Sequence, residues 1–158
     1  MKRLLLGLVT ASMLLHGCGL PPSRPDNSPQ RSQGRGAEVV TFALTLLETG
    51  YRFGGKNPAA GLDCSGMVSY VFDKGAGLHV QGSAADLARQ GHTVPADQLQ
   101  PGDLLFFNTR HMPHSHVAIY IGDGRFIHAP NSGGQVRTDS LKNPWYAQRF
   151  EEARSLLD

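Results

Sequence analysis

The segment over residues 61–68 constrains the fold of this chain most strongly, because it joins a glycine turn to an apolar run through a cysteine. Cys64 is followed by Ser65 and Gly66 and then by the helix-compatible run at 67–72. A thiol at a helix N-terminus lies beside unpaired N–H groups, which favour an anion and lower the pKa from its usual value of about 8.5. A lone cysteine is more often a buried structural residue. The polar, glycine-flanked setting of Cys64 instead indicates a nucleophile with a lowered pKa.

Helical patterns come first in the chain and strand patterns come later. Apolar residues recur at helical spacing from Ala37 to a stop signal at Gly50, the cysteine helix is expected to end near Gly75, and Ser83 can cap a short helix. Short strands are predicted at 104–107, 116–121, 125–129, around Val136 and at 149–154, with a three-residue turn at 122–124. This order predicts an α+β fold in which N-terminal helices pack on a mostly antiparallel sheet.

The start of the sequence has the features of a targeting segment. Lys2 and Arg3 precede an apolar run at 4–15, which is shorter than the roughly 20 residues of a membrane-spanning helix. Together with the small-residue site that ends at Cys18, this run resembles the leader of bacterial lipoproteins. We therefore expect a signal peptide over 1–17 and lipidation of Cys18.

A lipidated Cys18 would anchor the chain to a membrane. Gly19 follows it where an Asp would indicate retention in the inner membrane, so resemblance to the lipoprotein sorting rule implies the outer membrane. An ordinary secretory signal, in which Cys18 falls by chance, is the alternative. Residues 18–36 are mostly polar residues, Pro and Gly, which predicts a flexible linker, and the folded domain is expected over 37–158.

Composition restricts the partners that this chain can have. The sequence has two cysteines, and lipidation of one and catalysis by the other would leave none for a disulfide. The net charge of +2, with no basic run interleaved with aromatic residues, argues against nucleic-acid binding. A small positive charge suits work near an anionic cell-wall polymer. We expect a monomer that needs neither a metal nor a cofactor.

Two histidines occupy matching places on the predicted hairpin. His116 opens one strand, and His128 lies toward the end of its partner, so the turn between them brings both to the same end. A cysteine peptidase needs a thiolate, an imidazole that exchanges protons, and a third polar group that orients the imidazole. Together with Cys64, the two histidines supply this set of groups.

At these residues the chain resembles the NlpC-type family of bacterial cell-wall cysteine peptidases, which have a papain-like core. The resemblance runs from about residue 37 to the C-terminus. It lies in five motifs: Tyr51-Arg52-Phe53-Gly54-Gly55, Asp63-Cys64-Ser65-Gly66, Pro101-Gly102-Asp103-Leu104, His116-Val117-Ala118-Ile119-Tyr120-Ile121-Gly122 and Phe126-Ile127-His128-Ala129.

The resemblance implies roles for individual residues. Cys64 would be the nucleophile, His116 the general base and acid, and His128 the third, orienting member. The residues at positions that line the substrate cleft in relatives are Tyr51, Asp63 and Ser65. The implied substrates are peptidoglycan stem peptides, cut most often between D-glutamate and diaminopimelate, or peptidoglycan crosslinks.

Two other functions stay open at this point. His111, His114 and His116 lie within six residues and could hold a metal, although no cysteine or acidic ligand is close in sequence. A wall-binding lipoprotein that kept the cleft and lost the reaction is the second alternative. Comparing peptidoglycan hydrolysis by the wild type and Cys64→Ala separates these readings from a peptidase.

Overall fold

The computed structural model describes residues 29–131 and 134–157, so the predicted signal peptide and Cys18 lie outside the described part of the chain. Its helices are α1 (Pro29–Leu44), α2 (Cys64–Ala76), α3 (Ala84–Leu87) and α4 (Pro144–Ala147). Its strands are β1 (Lys56–Asn57), β2 (Gly61–Leu62), β3 (His92–Val94), β4 (Leu104–Phe107), β5 (His116–Gly122), β6 (Arg125–His128), β7 (Arg137–Ser140) and β8 (Phe150–Ser155). None of the helices described here has the length and apolar character that crossing a bilayer requires.

The main sheet has six strands in the order β3-β8-β4-β5-β6-β7, and every neighbouring pair is antiparallel. The short strands β1 and β2 form a separate antiparallel pair just before α2. The predicted α+β fold, with early helices and a later antiparallel sheet, is confirmed.

Each central strand has two buried faces because helices cover one side and aromatic residues the other. On β4, Leu104 and Phe106 pack in the cluster that contains α1 and α2. Leu105 and Phe107 point to the opposite side, into a cluster that includes Tyr146 of α4. Each large apolar side chain buried in this way contributes about 1.5–3 kcal/mol of transfer free energy. This burial on both faces holds β4 and β5 rigidly in the centre of the molecule.

Helix α1 begins before the predicted start of the domain. Residues 29–36 belong to the helix, so the expectation of a flexible linker up to residue 36 is wrong at this end. Gly36 is buried, and a methyl group at its Cα would overlap the carbonyl oxygen of Pro101. Gly36, which suggested a flexible segment, is therefore the residue at which α1 closely approaches the turn before β4.

Helix α2 ends later than predicted, for a similar reason. Gly75 lies inside the helix, where a side chain would press against Phe42 and Val39 of α1. Gly77 ends the helix in the left-handed conformation, with φ 64°, and its N–H donates to the carbonyl of Phe72. Gly75 allows the two helices to approach, and Gly77 is the stop signal.

The β5–β6 hairpin has a shorter turn than predicted, because Gly122 still belongs to β5. The two turn residues are Asp123 and Gly124, with φ of 54° and 70°. Positive φ at both central positions is typical of the tight turns that match the twist of a hairpin.

We predict that Gly36→Ala destabilises the protein and that Gly34→Ala does not. The new methyl group at position 36 meets the backbone of Pro101, and overpacking of this kind typically costs about 1–3 kcal/mol. Gly34 lies in the same helix with open space around it. Alanine at position 34 should therefore raise the free energy of unfolding by about 0.5–1 kcal/mol through its higher helix propensity. Urea unfolding of the two variants measures both effects. Equal changes in the free energy of unfolding would contradict the packing of α1 described here.

Candidate active site

The first turn of α2 is fixed by the side chain of Asp63, which confirms the predicted helix start at Cys64. One carboxylate oxygen accepts hydrogen bonds from the Gly66 N–H at 2.7 Å and the Ser65 hydroxyl at 3.3 Å. The other oxygen accepts from the Gly54 N–H at 2.8 Å. Asp63 therefore caps the helix and also holds the preceding loop against it, so the backbone around Cys64 is rigid.

Cys64 is partly exposed as a residue, and its sulfur lies against the start of β5. Burial raises the pKa of the Cys64 thiol above its ordinary value, and the nearby Asp63 carboxylate acts in the same direction. Hydrogen bonds from the backbone N–H groups of Val117 and Ser65 favour the thiolate but are outweighed. The sequence-based expectation of a lowered pKa is therefore wrong. The resting Cys64 is therefore favoured as a thiol.

The two histidines lie together at one end of the sheet, as the hairpin predicted. His116 Nε2 is 2.8 Å from His128 Nδ1, and the side chain of each ring is buried. Ile119 of β5 pairs with Ile127 of β6. His116 and His128 therefore lie on the face of these strands that is opposite to the two isoleucines, in diagonal positions across the strand pair. Their rings meet edge to face with centroids 5.0 Å apart.

A carboxylate continues this chain of hydrogen bonds. His128 Nε2 lies 3.0 Å from Asp139 Oδ2, and the same oxygen accepts a 2.9 Å hydrogen bond from Arg137 Nε. Burial acts to raise the pKa of Asp139, but the hydrogen bonds from Arg137 and His128 lower it below its ordinary value. The carboxylate is therefore ionised and acts only as an acceptor.

The position of Asp139 determines the tautomer of both rings. Since its carboxylate accepts, His128 carries its proton on Nε2 and accepts at Nδ1. His116 must then donate from Nε2, so the lone pair of its Nδ1 is free. The nitrogen of His116 that does not contact His128 is thus the one able to take a proton from a thiol.

Burial keeps both rings neutral. It lowers the pKa of His116 to about 3, with smaller effects from His128 and the Arg110 guanidinium. It lowers the pKa of His128 to about 4, although the hydrogen bond to Asp139 opposes this shift. At neutral pH His116 is therefore an unprotonated base.

Aromatic residues surround the histidine pair. Phe107 contacts the ring of His116, and Phe126 packs edge to face against His128. The Tyr146 hydroxyl lies 3.4 Å from His128 Nε2, and burial raises the pKa of Tyr146 to about 12. This phenol stays protonated and, with the two Phe rings, excludes water from one side of the pair.

The reactive groups open onto one cleft of about 580 Å³. Cys64, His116, His128 and Tyr51 all contribute to its lining. The full set of described lining residues is Tyr51, Phe53, Cys64, Thr109, Arg110, Ser115, His116, His128, Pro130, Asn131, Arg137, Asp139, Asn143, Trp145 and Tyr146. The predicted substrate-binding residues Asp63 and Ser65 are absent from this set and lie beside Cys64 at the helix start, so their substrate contacts stay a prediction.

The histidines of the β4–β5 loop do not converge with His116. His114 Nε2 pairs with Glu152 Oε1 at 3.0 Å, whereas His116 is hydrogen-bonded to His128. Over residues 29–131 and 134–157, no three His, Cys, Asp or Glu side chains form a group that could hold a metal ion. His111 is exposed in the loop.

Sequence reasoning identified the histidine pair but missed Asp139, Arg137 and Tyr146. Strand β7 pairs with β6 so that Asp139 is opposite Phe126 and Arg137 is opposite His128. Arg137 and Asp139, which alternate along β7, therefore share the face of the two histidine rings. Placing the weak strand near Val136 beside the hairpin would have brought Asp139 next to His128.

Comparison with known proteins identifies the family of this chain. Residues 48–155 match the model of the NlpC/P60 family. The solved NlpC/p60 domain of the peptidoglycan hydrolase SagA is 36% identical, with a TM-score of 0.67, over 77% of this chain and 98% of that domain.

Two curated relatives carry specific names. The gamma-DL-glutamyl hydrolase of Bacillus subtilis is 37% identical over 122 residues, which are 75% of this chain and 29% of that protein. A murein DD-endopeptidase of Escherichia coli is 31% identical over 110 residues, which are 68% of this chain and 41% of that protein. The chain spans 29% and 33% of the first two curated relatives that it matches.

A third relative is similar to this chain in length. A probable endopeptidase of Haemophilus influenzae is 31% identical over 157 residues, which are 94% of this chain and 95% of that protein.

We predict that the free energy of unfolding falls as the pH drops from about 6.5 toward 4. The folded pKa values of His116 and His128 are lowered, so the unfolded chain binds protons in this range that the folded chain does not. The stabilisation is complete above the unfolded pKa and is lost on acidification, at roughly 1.4 kcal/mol per pH unit for each ring. Urea unfolding between pH 7 and pH 4 measures this slope.

The variant His128→Gln should roughly halve the slope because one of the two rings is removed. His111→Gln, at an exposed loop position, is the matched control and should keep the wild-type slope. If His128→Gln left the slope of the unfolding free energy against pH unchanged, the buried pair of His116 and His128 would not be the source of that slope.

Proposed function

Because the chain belongs to the NlpC/P60 family, we propose that it is a cysteine peptidase that hydrolyses amide bonds in the peptide part of peptidoglycan. The observation that carries this proposal is that Cys64 lines the same cleft as the hydrogen-bonded pair of His116 and His128. Relatives named as endopeptidases and as peptidoglycan hydrolases support it.

The first step of the proposed reaction is attack by sulfur. The Cys64 thiol gives its proton to Nδ1 of His116 while the sulfur bonds to the carbonyl carbon of the substrate amide. The carbonyl oxygen becomes an oxyanion. The N–H of Cys64 stands at the first position of α2, where a helix offers no internal acceptor, and we assign it as a donor to this oxygen.

Proton return completes the acylation. The imidazolium of His116 donates its Nδ1 proton to the leaving nitrogen, the C–N bond breaks, and the amine departs, leaving a thioester on Cys64. Water then gives a proton to His116 and attacks the thioester, which releases the carboxylate product and restores the thiol. Throughout, His128 and Asp139 hold His116 in one orientation and stabilise its charged form.

The names of two relatives support a substrate class. One is named a gamma-DL-glutamyl hydrolase and another a murein DD-endopeptidase, and these names describe different bonds. We propose D-glutamyl bonds to diaminopimelate-type residues, or the crosslinks between stem peptides, as the bonds that this chain cuts. Tyr51, on the wall of the cleft, is the proposed contact for the substrate peptide, with Asp63 and Ser65 beside the nucleophile.

We also propose that the chain is a lipoprotein of the outer membrane, anchored through Cys18. The basic, apolar and small-residue order over residues 2–18 supports this. Mass spectrometry of protein extracted from membranes should find an acylated Cys18 at the N-terminus, and Cys18→Ser should remove the acyl chains. Membrane-extracted protein that begins before Cys18, or carries it unmodified, would contradict the anchor.

We predict that the wild-type protein releases peptides from purified peptidoglycan and that Cys64→Ala abolishes this release. His116→Ala removes both the base and the acid and should lower the rate by about 10²-fold or more. His128 only orients, so His128→Asn and His128→Gln should retain more turnover than His128→Ala. Chromatography of the released fragments, with circular dichroism as the folding control, measures this order.

Two results would overturn the assignment. Release by folded Cys64→Ala at the wild-type rate would exclude a cysteine peptidase. Absence of release from every peptidoglycan type tested with the wild type would leave a wall-binding protein as the better description.

A further inference from the structure

Arg110 is held in a fixed position at the edge of the cleft, although its side chain is exposed. Its backbone N–H and that of Thr109 donate to the buried Ser115 hydroxyl, at 3.1 and 2.9 Å. Its guanidinium Nη2 donates to the Ser115 carbonyl at 3.1 Å. Both the backbone and the side chain of Arg110 are thus tied to the residue just before His116.

The charge of Arg110 reaches the reacting groups. It acts to lower the pKa of Cys64, of His116 and of Tyr51, which all line the same cleft. A cation in this position stabilises negative charge on the sulfur side of the cleft.

No carboxylate in the described part of the chain neutralises Arg110. The other arginine of the cleft, Arg137, is paired with Asp139 at 2.9 Å. The carboxylate of Asp63 accepts three hydrogen bonds at the start of α2. Among the described residues that line the cleft with Cys64, Arg110 is therefore the arginine that has no carboxylate partner, and its guanidinium has donors left for a ligand.

We propose that Arg110 binds a free carboxylate of the substrate on the residue that adjoins the scissile amide. This inference rests on the proposed peptidase function and adds a specificity residue to it. A γ-linked D-glutamyl residue has the required chemistry, because it is joined through its side-chain carboxyl and keeps its α-carboxylate free. A guanidinium recognises such a group through charge-assisted hydrogen bonds, which a carboxamide cannot replace.

The test uses two synthetic peptides that differ in one group. In the first, γ-linked D-glutamate with a free α-carboxylate precedes the scissile amide; in the second, that carboxylate is a carboxamide. We expect the wild type to have a kcat/KM roughly tenfold or more higher for the first peptide. Arg110→Gln should lower kcat/KM for the carboxylate peptide and leave kcat/KM for the carboxamide peptide unchanged, so that the preference is lost. Arg110→Lys should retain part of the preference. Arg125→Gln, at the first residue of β6, is the matched control and should keep it.

Binding to the inactive Cys64→Ala protein separates this inference from the reaction. Isothermal titration should find the carboxylate peptide bound roughly tenfold or more tightly than its carboxamide twin, with the difference lost in Cys64→Ala/Arg110→Gln. A wild type that cleaves neither peptide would contradict D-glutamyl bonds as the bonds that this chain cuts, and the titration would still decide on Arg110. Equal binding of the two peptides, or a preference that survives Arg110→Gln, would overturn the inference.

Discussion

The hydrogen-bonded line from Asp139 through His128 to His116 is the interaction on which the rest of the site depends. Its distances of 3.0 and 2.8 Å join three neighbouring strands, so the register of the sheet determines the chemistry. Burial among aromatic rings removes competing water, and each member must then find its partner within the protein. The line fixes which nitrogen of His116 can receive a proton.

Burial has a second effect, because it opposes charge on both reacting groups before substrate arrives. It raises the pKa of Cys64 and lowers that of His116, so the resting pair is a thiol and a neutral imidazole. Charge separates only as the sulfur attacks, and the groups that stabilise it are already in place. These are the backbone N–H of Val117 at the sulfur and Asp139 behind the second ring. Such prior placement of dipoles lowers the reorganisation needed in the transition state.

Much of this arrangement could be predicted from residue patterns alone. The helix start at Cys64 and the juxtaposition of His116 and His128 depend on local periodicity and one short turn. What could not be predicted depends on contacts between distant segments: Gly36 against Pro101 extends α1 into the expected linker, and burial reverses the expected pKa shift of Cys64. Asp139 was missed because the register of β7 on β6 is set by tertiary packing.

Asp139 sets the tautomer of His116 through His128, and NMR of the histidine ring nitrogens can observe this tautomer. At neutral pH we expect a neutral His116 with its proton on Nε2 and a bare Nδ1. Asp139→Asn should weaken this preference, whereas a variant of the exposed His111 should not change it. A His116 ring protonated on Nδ1 alone, or an imidazolium in the resting protein, would show that Asp139 does not control the tautomer.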